Sequence, residues 1–398
     1  MLARRARNLV PSATLGIDLK AKEMQAKGFD VISFGVGEPD FDTPEGIKEA
    51  AISALRAGFT KYTPAGGIDE LRDAIVAKLK RDNGLEYTRD EVAVSCGSKH
   101  TLYSLAMVLF EEGDEVLIPA PYWVTYPEQV KLVDATPIIV PTSEAKGFKV
   151  SRDDLERALT PRTKALILNT PSNPTGVVLD QNDLEAIATL AVERGLYVIS
   201  DEAYENLTYD GARHISIASL GEAIRARTIV VNSVSKTYAM TGWRIGYAAG
   251  PKEVIRAIVN LQSQTANMTS FAQKGAVEAL IGSQTPVVRM REEFAKRRGY
   301  VLERLDKIPG VSYVRPFGAF FVFLNISAYF GRRFRDRIIR TSTDMAAYLL
   351  EEARVALVPG KDFGSDDHIR LSYALSADQL AKGLDRIEEA LTKLRLGA

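Results

Sequence analysis

Lys236 follows a run that reads as a buried strand, "TIVVN" (Thr228–Asn232), with Ser233 and Ser235 before it and Arg244 eight positions after it. A long cation beside apolar strands ordinarily reaches back to solvent, so this lysine alone says little. Asp201 and Tyr204 follow a second apolar run, "LYVIS"; Asn173 follows "LILNTPS", and Ser98 follows "VAVSCG". Each has an ordinary alternative: Asp201 and Ser98 as helix caps, "SNPTG" as a plain turn. Together they supply an amine, a carboxylate, an arginine fork and several hydroxyls. That set suits covalent capture of a carbonyl beside a bound phosphate.

The elements that must position these residues can be read from the middle of the chain. Short β-branched runs bounded by Gly, Pro and Asp ("EVAVSCG", "DEVLIPAP", "KALILNTP", "LYVISDEAY", "TIVVNSVSK") alternate with helical patterns such as "DQNDLEAIATLAVERG". This alternation predicts an α/β architecture, a mostly parallel central sheet flanked by helices. Ligands of such sheets bind at the carboxyl ends of the strands, where the polar residues above stand. The ends of the chain read differently. The charged helical stretch "TPVVRMREEFAKRRGYVLERLDK", then "VSYVRPFGAFFVFLNI", "HIRLSYAL" and "SADQLAKGLDRIEEALTKL", predict a smaller α+β domain. We assign residues 48–284 to a large cofactor-binding domain, and 1–47 with 285–398 to a small domain carrying an N-terminal arm. The arginine-rich stretch "YFGRRFRDRIIRTST" reads as a solvated excursion, with a basic anion- or partner-binding loop as the alternative.

One cofactor needs this constellation. Pyridoxal 5'-phosphate requires a lysine for a Schiff base and a carboxylate to pair with its pyridinium nitrogen. The free amides of a helix starting at Ser98 and Lys99, with an arginine and hydroxyls, would hold its phosphate. Other chemistries lack their parts. With three histidines (His100, His214, His368) and one cysteine (Cys96), there is no H-E-x-x-H, G-x-S-x-G or multi-cysteine metal site, and we expect no metal. "GVGEPD" fails as a dinucleotide fingerprint, and "PGKDFG" fails as a P-loop.

Fifty-one basic and fifty-one acidic residues cancel in a chain of 398, giving no electrostatic case for nucleic acid or an anionic membrane. No stretch approaches the ~20 apolar residues of a membrane-spanning helix. Arg4, Arg5 and Arg7 are not followed by an apolar signal segment, and a single cysteine fits a reducing compartment; we expect a cytoplasmic protein.

The motifs "GEPDFDTP" (Gly37–Pro44), "KYTPAGG" (Lys61–Gly67), "PYWVTYPE" (Pro121–Glu128), "NTPSNPTG", "SDEAY" and "SVSKTYAMTGWRIG" occur in one order over nearly the whole chain. In these the sequence resembles the class I/II, fold-type I pyridoxal-phosphate-dependent aminotransferases, within them the bacterial aspartate aminotransferase subgroup. The resemblance implies that Lys236 is the Schiff-base lysine and proton shuttle and that Asp201 pairs with the ring nitrogen. It implies that Tyr204 and Asn173 bond the cofactor's phenolic oxygen and that Trp123 stacks on the ring, although a core role for Trp123 stays open. Ser98, Lys99, Ser233, Ser235 and Arg244 would form the phosphate cup. Tyr62 would reach that phosphate from a neighbouring subunit, which implies a homodimer with shared active sites. Arg370 would clamp the substrate's α-carboxylate with Asn173, and Gly37 would contact the substrate through its backbone.

The substrates implied are amino acids and 2-oxo acids, with aspartate and 2-oxoglutarate first. Thr14 and Lys99 match positions associated with acidic substrates, whereas Val10 stands where several such relatives carry a lysine. An aromatic, broad-specificity or prephenate aminotransferase is the alternative. A C–S lyase on the same fold, which would need no oxo-acid co-substrate, and a non-enzymatic regulator are further ones. The "PSAT" motif starting at Pro11 leaves no room before it for a DNA-binding module.

Overall fold

The computed structural model describes residues 2–3, 6–7, 9 and 13–396. Seven strands form the central sheet: β1 (Val92–Ser95), β2 (Glu115–Ala120), β3 (Thr136–Pro141), β4 (Thr163–Asn169), β5 (Tyr197–Asp201), β6 (Thr228–Ser233) and β7 (Gly246–Ala249). Their order is β1-β7-β6-β5-β4-β2-β3. The pairs from β3 through β6 are parallel, as the sequence predicts, and β7 alone runs antiparallel to both of its neighbours. β1 and β6 therefore point the same way, with β7 returning between them. At its start Gly246 stands in register with Ser95 on one side and Ser233 on the other.

The sheet is buried on both faces because helices cover both. Every residue of β1 and β6 is buried, and the runs Ala165–Leu168 and Val198–Asp201 are buried too. This explains why these strands read as continuous apolar runs without alternation. The crossover helix Gln181–Arg194 between β4 and β5 has its boundaries written in its sequence. Asp180 and Asp183 form a reciprocal capping box at its start, and Gly195, at φ 68°, ends it in the left-handed conformation.

A second, four-stranded antiparallel sheet contains β8 (Ser312–Tyr313), β9 (Phe321–Asn325), β10 (Val358–Pro359) and β11 (His368–Ser372), in the order β10-β11-β9-β8. One hydrophobic cluster joins this sheet to the helices Thr285–Leu305 and Ala377–Lys393. It also takes in Ile32 and Phe34 from the N-terminal part and Tyr204, Leu207 and Tyr209 from the segment after β5. The arginine-rich stretch is a short hairpin, Arg332–Phe334 against Arg337–Ile338. Arg337 pairs with Glu351 at 2.6 Å, and Arg332 lies over the Tyr329 ring. Among the described residues no helix is long and apolar enough to cross a membrane.

Candidate active site

The carboxyl ends of β4, β5 and β6 open into a cleft enclosing about 240 Å³, closed on the far side by β11. Lys236, Asp201, Asn173, Tyr204, Trp123, Ser98, Lys99, Ser235, Arg244, Gly37 and Arg370 all line it. Residues spread over more than three hundred positions of sequence thus converge on one space, as the strand-end rule requires.

Lys236 extends into this cleft and donates a 2.6 Å hydrogen bond from Nζ to the Gly37 carbonyl. Its surroundings push its ammonium down to about 8. Desolvation is the main cause, Arg244 and Arg370 add to it, and Glu38 and Asp201 oppose it. With a pKa of about 8, roughly a tenth of this amine is free base at neutral pH, far more than of an ordinary lysine, which suits nucleophilic capture of a carbonyl.

Asp201, the last residue of β5, is buried, and burial raises its carboxyl to about 6. Tyr126 Oη donates to its Oδ2 at 2.8 Å, and the Ala203 amide approaches Oδ1 at 3.3 Å. Neither partner is a cation. A buried carboxylate without a cationic hydrogen-bond partner suits a ligand carrying a protonated ring nitrogen.

The end of the cleft beside β1 and β7 is built mainly of backbone. Gly97 turns from β1 into the helix Ser98–Leu109 at φ 85°, ψ 159°, a conformation that excludes side chains. The first amides of that helix face the cleft without intrahelical acceptors. Arg244 lies beside them. Its Nη1 donates to the Thr241 carbonyl at 2.7 Å and its Nη2 to the Cys96 carbonyl at 3.3 Å, which aims the guanidinium across the helix start. A Cβ on Gly97 would meet Arg244 Nη2 at 2.2 Å. Ser235 lines the cleft, whereas Ser233 stands behind it, its Oγ accepting from the Ser235 amide at 3.3 Å.

Opposite, Arg370 of β11 is 2% exposed and, among the described residues, has no carboxylate partner. Its Nη1 donates to Asn173 Oδ1 at 2.8 Å and its Nη2 to the Gly35 carbonyl at 2.7 Å, while Nε has no acceptor. The guanidinium lies 4.4 Å from the Phe321 ring centre, and burial pulls its pKa down to about 10. An unpaired buried cation is expensive unless an anion arrives to share the site. Lys99 sits at the mouth, its ammonium 5.0 Å from the Trp123 ring centre.

The donor set fits pyridoxal phosphate. Asp201 provides the carboxylate and Lys236 the amine, while the free helix amides with Ser235 and Arg244 provide an anion cradle that a side chain on Gly97 would obstruct. Two assigned residues stand apart. Tyr62 is 96% exposed and does not reach this chain's cleft. Thr14 lies on the helix Ala13–Ala26, but its side chain and the whole of Val10 are outside the described residues.

The sequence reading missed Tyr126, Asn169 and Glu38. Asn169 ends β4; its Nδ2 bonds the Asp201 carbonyl and its Oδ1 accepts from the Asn173 amide, so one side chain orients both segments. Tyr126 stands three residues after Trp123, one turn along the same helical start, and that spacing was the available signal. Glu38 accepts from Thr241 Oγ1 at 2.8 Å and faces Lys236 across a gap no local pattern reveals. Behind the cup, Lys78 donates to Glu205, which also accepts from Asn232 Nδ2; Asn232 Oδ1 in turn holds the Ser233 amide. Glu202, Glu205 and His214 lie close enough together to suggest a cation site. Ser200 and Ser216 donate to Glu202 Oε1, and Lys78, Asn83 and Asn232 donate to Glu205, while Glu202 Oε2 stands 3.0 Å from His214 Nε2 and accepts no hydrogen bond from the described residues.

The profile of the aminotransferase class I and II family matches residues 30–387. The aspartate aminotransferase of Geobacillus stearothermophilus is 50% identical over 97% of this chain and 98% of its own length. A probable aspartate/prephenate aminotransferase of Aquifex aeolicus is 48% identical over 99% of both chains. The crystal structure of the aspartate aminotransferase from Rhizobium meliloti superposes with a TM-score of 0.95 at 40% identity, covering 99% of this chain and all of that one. With a cleft of this composition, and with likeness at this level along the full length of its relatives, the chain belongs to the class I and II aminotransferases.

Proposed function

We propose that this chain is a pyridoxal-phosphate-dependent aspartate aminotransferase. It moves the amino group of L-aspartate to 2-oxoglutarate in two half-reactions, releasing oxaloacetate and then L-glutamate. The observation that carries this reading is the placement of three groups around one cleft: the Lys236 amine, the buried Asp201 carboxylate and the unpaired Arg370 guanidinium. Bound there, pyridoxal phosphate supplies an aldehyde that captures amines and a ring that accepts the electron pair left when a Cα–H bond breaks.

The protein's residues do the rest. Lys236 Nζ would hold the cofactor at rest and would move the proton at the substrate's Cα. Asp201 would keep the ring nitrogen protonated, and Tyr126 holds Asp201 in place. Ser98, Lys99, Ser233, Ser235 and Arg244 would anchor the phosphate, Trp123 would cover the ring, and Tyr204 and Asn173 would bond its oxygen. Arg370 grips the substrate carboxylate in a fork, with Asn173 beside it and the Gly37 backbone closing over it.

The names of the Geobacillus and Rhizobium relatives favour aspartate, and Lys99 at the mouth would meet its second carboxylate, with Thr14 assigned to the same role from the sequence. The name of the Aquifex relative favours a second reading with prephenate as amino acceptor. Pyridoxal phosphate loading and location in the cytoplasm belong to the same proposal. So does the division into residues 48–284 and 1–47 with 285–398, across which one cluster joins Tyr204, Leu207 and Tyr209 to the small sheet. So does a homodimer in which Tyr62, exposed here, reaches the partner's phosphate. The test is to mix cofactor-loaded protein with single amino acids and follow the cofactor's absorbance. Aspartate and glutamate converting far faster than phenylalanine is the expected order, and the reverse order overturns the aspartate assignment. Pyruvate release without any oxo acid would identify a lyase instead.

A further inference from the structure

The segment after β3 makes its polar contact with the small sheet through the Glu144 carboxylate. Glu144, in the short helical turn Glu144–Lys146, accepts from Ser312 Oγ at 2.8 Å and from Asn325 Nδ2 at 2.7 Å. His368 Nε2 stands 3.4 Å from the same carboxylate. These three neighbours come from three adjacent strands, β8, β9 and β11, and they form one row: Asn325 is in register with Ser312 on one side and His368 on the other. The row is held ready. Asn325 Oδ1 accepts from Ser327, which turns the amide's donor end toward Glu144, and Ser365 Oγ lies 2.9 Å from His368 Nδ1.

Phe148, from the same segment, adds an apolar contact. It sits at φ 54°, uncommon for a residue with a side chain, and its ring meets Phe323 edge-on at 5.9 Å and His368 at 5.3 Å. Phe323 stacks flat on His368 at 4.7 Å and is the register partner of Arg370. His368 and Arg370 are two residues apart on β11, so they share one face of the sheet, roughly 7 Å apart along the strand. Phe363, against Phe323, also packs against the Arg370 guanidinium at 5.0 Å. A continuous stack thus runs from Glu144 through His368, Phe323 and Phe363 to the Arg370 fork.

We infer that Glu144 is a positioning residue for substrate binding: it seats the row Ser312–Asn325–His368 on the large sheet's side of the cleft and so fixes where Arg370 meets the substrate carboxylate. This rests on the proposed role of Arg370 and adds a residue outside the cleft to it. Glu144 touches neither substrate nor cofactor, so its loss acts on binding and leaves the proton transfer at Lys236 intact.

The test compares the cofactor-loaded holoenzyme with its Glu144→Ala and Glu144→Gln variants. In Glu144→Ala the KM for aspartate and for 2-oxoglutarate should rise about tenfold, the size of one charge-assisted hydrogen bond. The inhibition constant of succinate, a dicarboxylate without an amino group, should rise by a similar factor. The kcat should stay within about threefold and the cofactor spectrum should not change, with Glu144→Gln falling in between. Amide hydrogen exchange across residues 368–372 should also be faster in Glu144→Ala. Asn325→Ala, which removes one donor and leaves the carboxylate, is the second variant should Glu144→Ala not fold, and it should reproduce the KM rise in part. Unchanged KM and exchange in folded variants, or a loss confined to kcat, overturns the inference. Failure of the wild-type enzyme to transaminate overturns the proposed function instead, while the exchange comparison still decides whether Glu144 seats β11.

Discussion

Tyr126 Oη donates a 2.8 Å hydrogen bond to Asp201 Oδ2 on the buried wall of the cleft, the shorter of the two hydrogen bonds that carboxylate accepts from described residues. The bond favours the ionised carboxyl and partly offsets the rise that burial causes. Tyr126→Phe removes the donor and keeps the ring. The Asp201 carboxyl should then titrate higher, so the acid limb of kcat/KM moves to higher pH. Peak kcat/KM should fall about 10- to 100-fold, as for a lost hydrogen bond to a charged group. A pH–rate profile checks this, and an unshifted acid limb would show that Tyr126 only fills space.

Asp201 also ties the stability of the cofactor-free protein to pH. Its carboxyl stands at about 6 in the folded chain against 3.8 when free, so the folded state binds the extra proton between those values. The group's contribution is therefore fully present below about pH 4, is lost as pH rises through 6, and stays lost above it. Asp201→Asn should be flatter across that window, and at pH 7.5 it should be more stable than wild type by up to about 3 kcal/mol. Urea midpoints of both cofactor-free proteins at pH 4.5 and 7.5 measure the difference. Equal pH dependence in the two would contradict the assignment.

Gly97→Ala should damage the phosphate cup in two ways. The backbone at φ 85° disfavours any side chain, at about 1–3 kcal/mol, and the new methyl would displace the Arg244 guanidinium. Cofactor affinity should fall by at least about tenfold while the far side of the sheet keeps its structure. Fluorescence titration of cofactor-free protein reports the first effect and circular dichroism the second.

Arg370→Lys keeps the charge and loses the fork. A lysine cannot reach Asn173 Oδ1 and the Gly35 carbonyl at once as the present Nη1 and Nη2 do. KM for both the amino acid and the oxo acid should rise about 30- to 100-fold. The cofactor spectrum should stay as in wild type, because Arg370 does not touch the phosphate end. A loss of bound cofactor would place the residue elsewhere.

Much of the site was legible because its residues sit on contiguous motifs at strand ends. Lys236, Asp201, Asn173 and Ser98 each follow an apolar run, and the strand-end rule brings such positions together. What was not legible is contact across sequence distance. Nothing near Gly37 says that its carbonyl receives Lys236, and nothing near Glu38 says that it faces the same amine. Tyr126 was hidden because an aromatic one helical turn from Trp123 reads equally well as core. The direction of β7 was unreadable for another reason: the apolar run Ile245–Ala249 has the same pattern forwards and backwards. Its reversal depends on the short turn Thr241–Trp243 and on Arg244 adopting the left-handed conformation.

That reversal acts as a gauge. Because β7 returns between β1 and β6, the two segments of the proposed phosphate cup are separated by two hydrogen-bonded strand spacings, roughly 10 Å, whatever side chains they carry. Gly246 marks the midpoint, packed so closely on Ser98 that a Cβ there would lie 2.4 Å from its amide nitrogen. The width of the cup's mouth is thus a property of main-chain pairing. Side chains can tune how tightly an anion is held, but its size is selected by the order of strands in the sheet.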